Sequence, residues 1–217
     1  MLIKILISSV VAIMAFFHGS SKSGVQVAQA IDRFATYAEL ARVYREGIDY
    51  SIETAGRGSK ALVLAIHGGR IEWMSADLAR AIAGTDLNLY IFEGMKPADN
   101  WELHVTSENF DEPRALAMAA DAWWGISVHG FANANVSVVC VGGGNTDLAS
   151  EVARHLRKVA VDRRPFEVHY PCAIFAGKRP TNIVNRPREG GVQLELSTRL
   201  RSDLESEPLL LLEMAGA

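Results

Sequence analysis

The apolar positions of this chain fall into short runs closed by glycine or polar turns, with stretches of helical spacing between several of them. The clearest run is Ala61–Ile66, which lacks any polar side chain and predicts a strand buried on both faces of a parallel or mixed sheet. It ends at His67-Gly68-Gly69, where the glycines predict a sharp turn. Ser75-Ala76-Asp77 then reads as the cap and first turn of a helix reaching Ala83. Ahead of this unit, Phe34–Glu46 has apolar residues near helical spacing and predicts an amphipathic helix, and Asp49–Glu53 predicts a short polar strand. Behind it come a strand over Asn88–Phe92, a loop from Lys96 to Asn100, and Glu102–Thr106, whose alternation predicts a half-buried strand. A turn over 108–113 launches an alanine-rich helix, Arg114–Trp123.

The second half repeats the design. Gly125–Val128 predicts a strand running into His129-Gly130, and Val136–Val141 predicts another that meets Gly142-Gly143-Gly144. Asp147–Ala160 is a well-patterned amphipathic helix. After the stretch Phe166–Phe175 and a Pro/Asn loop over Lys178–Gly191, Val192–Leu196 predicts a strand carrying Glu195. The apolar tail Pro208–Met214 predicts a last core element. Strands alternating with helices predict one α/β fold, three layers α/β/α around a central sheet, over 31–217.

The first thirty residues change this picture in one respect. Lys4 is followed by the apolar run Ile5–Phe17, broken by Ser8 and Ser9, too short for a membrane span and suited to a signal peptide. Ala28-Gln29-Ala30 offers a small-residue cleavage site, so export to the envelope, the periplasm or the medium is expected, with a retained N-terminal anchor as the alternative. Loss of Lys4 and Lys22 takes 22 basic residues to 20 against 25 acidic ones, a net charge of −5, which gives no reason to expect nucleic-acid binding. Cys140 and Cys172 sit in apolar stretches and are read as two buried thiols; export would allow a single disulfide between them.

The candidate chemistry lies at strand ends. His67 and Glu72 flank the Gly-Gly turn and can face one point, as two ligands of a divalent metal do. His129 ends a second strand and Glu195 lies near the end of a third, and parallel strands would bring these ends to one edge. Two histidines and a glutamate with an open fourth position for water make a catalytic zinc set, and a carboxylate off the metal, here Glu195, can act as general base. A lone histidine after a buried strand is commonly structural, but a glutamate inside VQLEL is costly to bury without a purpose. His104 and the Asp111-Glu112 pair are explained by a surface strand and a helix cap, with a substrate-facing or ligand-supporting place as the other reading.

The runs AIHGGRIE (65–72), LHVTSENFDEP (103–113), SVHG (127–130) and NIVNRPREGGVQLELS (182–197) together closely resemble the zinc-dependent poly-γ-glutamate hydrolases, first associated with bacteriophages. The resemblance covers the chain from about Phe34 to Arg201. It implies a carboxypeptidase-like fold, a mixed sheet of roughly eight strands between helices, and one zinc ion cutting γ-glutamyl amide bonds. By position it implies His67, Glu72 and His129 as the zinc ligands and Glu195 as the base. The implied partner is an anionic γ-glutamyl polymer or peptide, for which Arg186 is the first candidate and Asn182 and Asn185 are neutral donors; Arg70 and Lys178 are further possibilities. The chain departs from the expected small polar turn after the glutamate, placing Trp73-Met74 there. Alternatives are a zinc amidase acting on peptidoglycan-type peptides or N-acyl amino acids, and a non-catalytic, phage-derived binding or replication-associated module.

Overall fold

The computed structural model describes residues 32–162 and 165–216. The expected signal segment, 1–30, lies outside the described residues. No helix among the described residues is long and apolar enough to cross a membrane.

The chain runs through α1 (Tyr37–Leu40), β1 (Tyr50–Ala55), β2 (Ala61–Gly69), α2 (Ser75–Ala83), β3 (Asn88–Gly94), α3 (Pro113–Asp121), β4 (Trp124–Phe131), β5 (Val138–Gly143), α4 (Thr146–Asp162), β6 (Glu167–His169), β7 (Gly191–Ser197), α5 (Thr198–Ser206) and α6 (Pro208–Ala215). The strands form one sheet in the order β1-β3-β2-β4-β7-β5-β6. Seven strands stand where the resemblance implied about eight. β3, β2, β4 and β7 are mutually parallel, while β1 pairs antiparallel with β3, and β5 pairs antiparallel with β7. The sheet is therefore mixed, with helices on both faces.

β2 shows why its run is continuous. Val63 and Ala65 point into the core shared with α2, α4, α5 and α6, whereas Leu62, Leu64 and Ile66 point into the aromatic core of Tyr50, Tyr90, Phe92 and Phe110 on the other face. Alternate residues feed two cores, so neither set can be polar. At its end Gly69 has φ +63°, and a Cβ there would lie 2.6 Å from the Gly94 carbonyl oxygen. Only glycine lets the chain turn so close to β3.

Three expectations are corrected. The helix over Phe34–Glu46 shrinks to α1 and irregular turns. Tyr37 packs on Tyr50, Phe92 and Phe110, while the Tyr44 hydroxyl reaches Lys96 and Glu102; these contacts override weak helical propensity in a short segment. The strand over Glu102–Thr106 is a 3-10 turn, Asn100–Leu103, followed by extended chain. Its alternation is genuine, since Leu103 and Val105 are buried, but it has no neighbouring strand. Its backbone is satisfied instead by side chains, the Val105 carbonyl by His67 and the Thr106 amide by Asp32. Finally, Cys140 and Cys172 are not free thiols but form a disulfide. The tail is α6, which buries Leu210 and Met214 and leaves Leu209 and Leu212 exposed.

Candidate metal centre

Parallel pairing brings the carboxyl ends of β2, β4 and β7 to one edge, and with them His67, His129 and Glu195. His129 stands opposite Glu195 in the register of β4 and β7. Glu72 follows β2 in the turn that leads to α2. All four side chains are buried.

His67 Nδ1 lies 3.1 Å from His129 Nδ1 and 3.3 Å from Glu72 Oε1, and His129 Nδ1 lies 3.7 Å from Glu72 Oε2. Donors bound to one tetrahedral zinc at about 2.0–2.1 Å stand roughly 3.3–3.4 Å apart, so this spacing suits a common ion. The outward nitrogens are already bonded: His67 Nε2 donates to the Val105 carbonyl at 2.9 Å, and His129 Nε2 meets Ser127 Oγ at 2.6 Å. The carbonyl can only accept, which fixes the His67 tautomer that leaves Nδ1 with its lone pair facing inward, and Ser127 Oγ accepting from His129 Nε2 would set the same tautomer there. Glu72 Oε2 in turn accepts the Gly130 amide at 2.8 Å.

His104, for which the sequence left a surface strand or a ligand-supporting place open, lies at the cluster. Its donor atom lies within 4.8 Å of those of His67 and Glu72, close enough to suggest a rival set of three. Ring orientation argues otherwise. The His104 and His67 rings are stacked, centres 3.9 Å apart and planes only 26° apart. Their planes converge far beyond either ring, so the two cannot aim in-plane lone pairs at one ion about 2.1 Å away. The His67 and His129 planes differ by 67° and do converge. His104 instead lies between His67 and Trp101, with Asp32 on its Nδ1 at 2.6 Å.

The electrostatics suit a cation. Burial opposes charge on Glu72, but the two histidines beside it hold it well below the usual carboxylate range. Burial opposes charge on His67 as well, and Glu72 more than offsets it, whereas burial leaves His129 below its ordinary value. Burial, with Glu72 nearby, pushes Glu195 well above the usual range.

Glu195 is held from behind. Gln193 Nε2 donates to Glu195 Oε1 at 2.9 Å, and Asn182 Nδ2 donates to Gln193 Oε1 at 2.8 Å. Gln193 was legible in principle, since it shares a strand face with Glu195 at a spacing of two. Of the expected substrate contacts, Asn182 is thus buried in this relay. Asn185 joins loops, accepting from the Gly144 amide and donating to the Gly177 and Arg179 carbonyls. Arg186 is exposed, with Nε on the Thr181 carbonyl at 3.3 Å. Arg70 holds the Lys96 carbonyl, and Lys178 is exposed.

A mixed sheet between helix layers, delivering two imidazoles and two carboxylates to one buried edge, defines a hydrolase of the layered α/β kind. Comparison with known proteins makes this specific. Residues 34–208 match the family model "Poly-gamma-glutamate hydrolase", and the chain belongs to that family. The structure of a bacteriophage poly-gamma-glutamate hydrolase is similar over 86% of this chain and 94% of its own, with 28% identity and a TM-score of 0.79. A zinc-free YndL structure covers 80% and 84% of the two chains, with 35% identity and a TM-score of 0.73. The YndL protein of Bacillus subtilis is 32% identical over 197 residues, 84% of this chain and 76% of its own length.

Proposed function

We propose that this protein is a zinc-dependent hydrolase of γ-glutamyl amide bonds, with poly-γ-glutamate as its preferred substrate. The observation that carries the reading is the convergence of His67 Nδ1, His129 Nδ1 and Glu72 at 3.1–3.7 Å, each imidazole already anchored through its other nitrogen. His67, Glu72 and His129 would hold the ion, which supplies Lewis-acid polarisation of the carbonyl and a water of lowered pKa. Glu195 takes the proton of the attacking water through its carboxylate and returns it to the leaving amine. Gln193 and Asn182 fix the orientation of that carboxylate. Burial raises the pKa of this carboxyl, and a cation beside it would favour the ionised form that a base requires. Arg186, on the exposed loop before β7, meets a carboxylate of the polymer.

Trp73, the bulky residue after Glu72, turns its ring beneath Arg201, whose Cζ lies 4.2 Å from the ring centre. Export completes the reading. The buried disulfide needs an oxidising compartment to form, in keeping with the signal-like segment.

The test is the size distribution of poly-γ-glutamate incubated with the purified protein, with zinc and then with a chelator. Zinc-dependent shortening is expected. Glu195→Gln is expected to lower kcat by about 10²–10⁴-fold with zinc content unchanged, and His129→Ala to lower zinc content. Polymer left intact by protein that holds one zinc sinks the substrate and leaves the metal, pointing to peptidoglycan-type peptides or N-acyl amino acids.

A further inference from the structure

Arg201, on α5, has only 5% of its surface exposed. Among the described residues its Nε has no hydrogen-bond partner, and its Nη atoms reach only the Trp73 carbonyl at 3.4 Å, the Phe131 carbonyl at 3.3 Å and Thr198 Oγ1 at 3.4 Å. A guanidinium stripped of water and so thinly bonded is costly, and something must need its charge or its fork.

Its surroundings show what. One carbonyl it holds belongs to the residue after Glu72, and the other to the end of β4, just past His129. One planar fork therefore joins the two loops that carry the cluster, and Trp73 forms the shelf beneath it. Between them lies Gly130, whose amide donates to Glu72. A Cβ at that position would stand 2.7 Å from Arg201 Cζ and 2.8 Å from Nε and Nη1, so glycine alone lets the guanidinium lie against this backbone. The carboxylates that act on its charge are Glu72 and Glu195.

We propose that Arg201 is a positioning residue of the metal centre: its fork clamps the Glu72 and His129 loops at ligand spacing. The inference rests on the metal reading above. Residues that orient metal ligands without touching the ion typically contribute 10–100-fold to metal affinity.

The experiment titrates Zn²⁺ into the chelator-stripped full chain against a chromophoric competitor, with the thermal midpoint of the metal-free protein measured alongside. Arg201→Met is expected to weaken zinc binding by about 10–100-fold. Arg201→Lys, which keeps the charge and loses the fork, and Trp73→Leu, which removes the shelf, are expected to show smaller losses. The double variant should lose less than their sum, because the two residues act as one unit. If Arg201→Met does not fold, the milder pair decides. Zinc affinity unchanged in Arg201→Lys and Trp73→Leu, or a lower midpoint of the metal-free protein with affinity intact, overturns the proposal. Wild-type protein that takes up no zinc removes the metal centre itself and Arg201's role with it; wild-type binding matched by the variants removes only the latter.

Discussion

Asn182 and Arg186 lie on the same loop and meet opposite environments. Asn182 is buried, caps a 3-10 turn through the Val184 amide and donates to Gln193, so it acts on the carboxylate behind the reaction. Arg186 stands in solvent with one long bond. Kinetics should separate them. Asn182→Ala is expected to lower kcat by about 10- to 100-fold at nearly unchanged KM, since a misaimed base costs chemistry. Arg186→Ala is expected to raise KM by about 10- to 100-fold with kcat kept, the worth of one charge-assisted contact to a carboxylate. The reverse pattern in steady-state kinetics on γ-glutamyl oligomers would reassign both. At this scale the sequence could name His67, Glu72, His129 and Glu195 because each ends or interrupts an apolar run. It could not name Arg201, and left the place of His104 open, because their surroundings arise from contacts between distant segments: α5 against the turn after β2, and the 100–106 segment against β2.

Among the elements, β2, β4 and β7 are readable as strands, β2 as a continuous apolar run and the others as apolar runs broken by Ser127 or by Gln193 and Glu195. β5 was readable as a strand but not as an antiparallel neighbour of β7, a relation set by tertiary packing alone. Its consequence is local to the base. Cys140 pairs with Glu195 in the β5/β7 register, and its disulfide to Cys172 fastens the segment whose Phe175 carbonyl accepts from Gln193. The bridge thus supports both the sheet edge and the relay behind Glu195. Replacing both cysteines by serine is expected to cost about 2–4 kcal/mol of stability, read as a lower urea midpoint. kcat should fall further than zinc affinity, because the proposed ligands His67 and His129 lie on β2 and β4 and Glu72 just after β2. Equal loss of both, measured on protein still folded at the assay temperature, would place the support elsewhere.

On the scale of the whole molecule, the cluster is a set of buried groups that only the folded chain assembles, so metal binding and folding are linked. Two imidazoles and a carboxylate whose donor atoms converge are brought together by the fold, and the two cores on either side of β2 hold them in place. Zinc at 100 times its dissociation constant is expected to add about 2.7 kcal/mol to stability, a rise of about 5–10 °C in Tm for a chain of this size. Differential scanning calorimetry with and without chelator reads it directly. A Tm indifferent to zinc would mean that the ion binds folded and unfolded chains alike, or not at all.

Asp32, the first described residue, reaches into the heart of the protein: one carboxylate oxygen holds His104 Nδ1 at 2.6 Å and the other accepts the Thr106 amide at 2.7 Å. Asp32 therefore supports the site from ahead of α1. Cutting just before Asp32 leaves the Trp101–His104–His67 stack buttressed, whereas cutting past it frees His104 to swing and deprives His67 of its backing. The backing of His67 thus runs through hydrogen bonds from a residue ahead of the first helix, so removing Asp32 is expected to loosen the site as well as the fold.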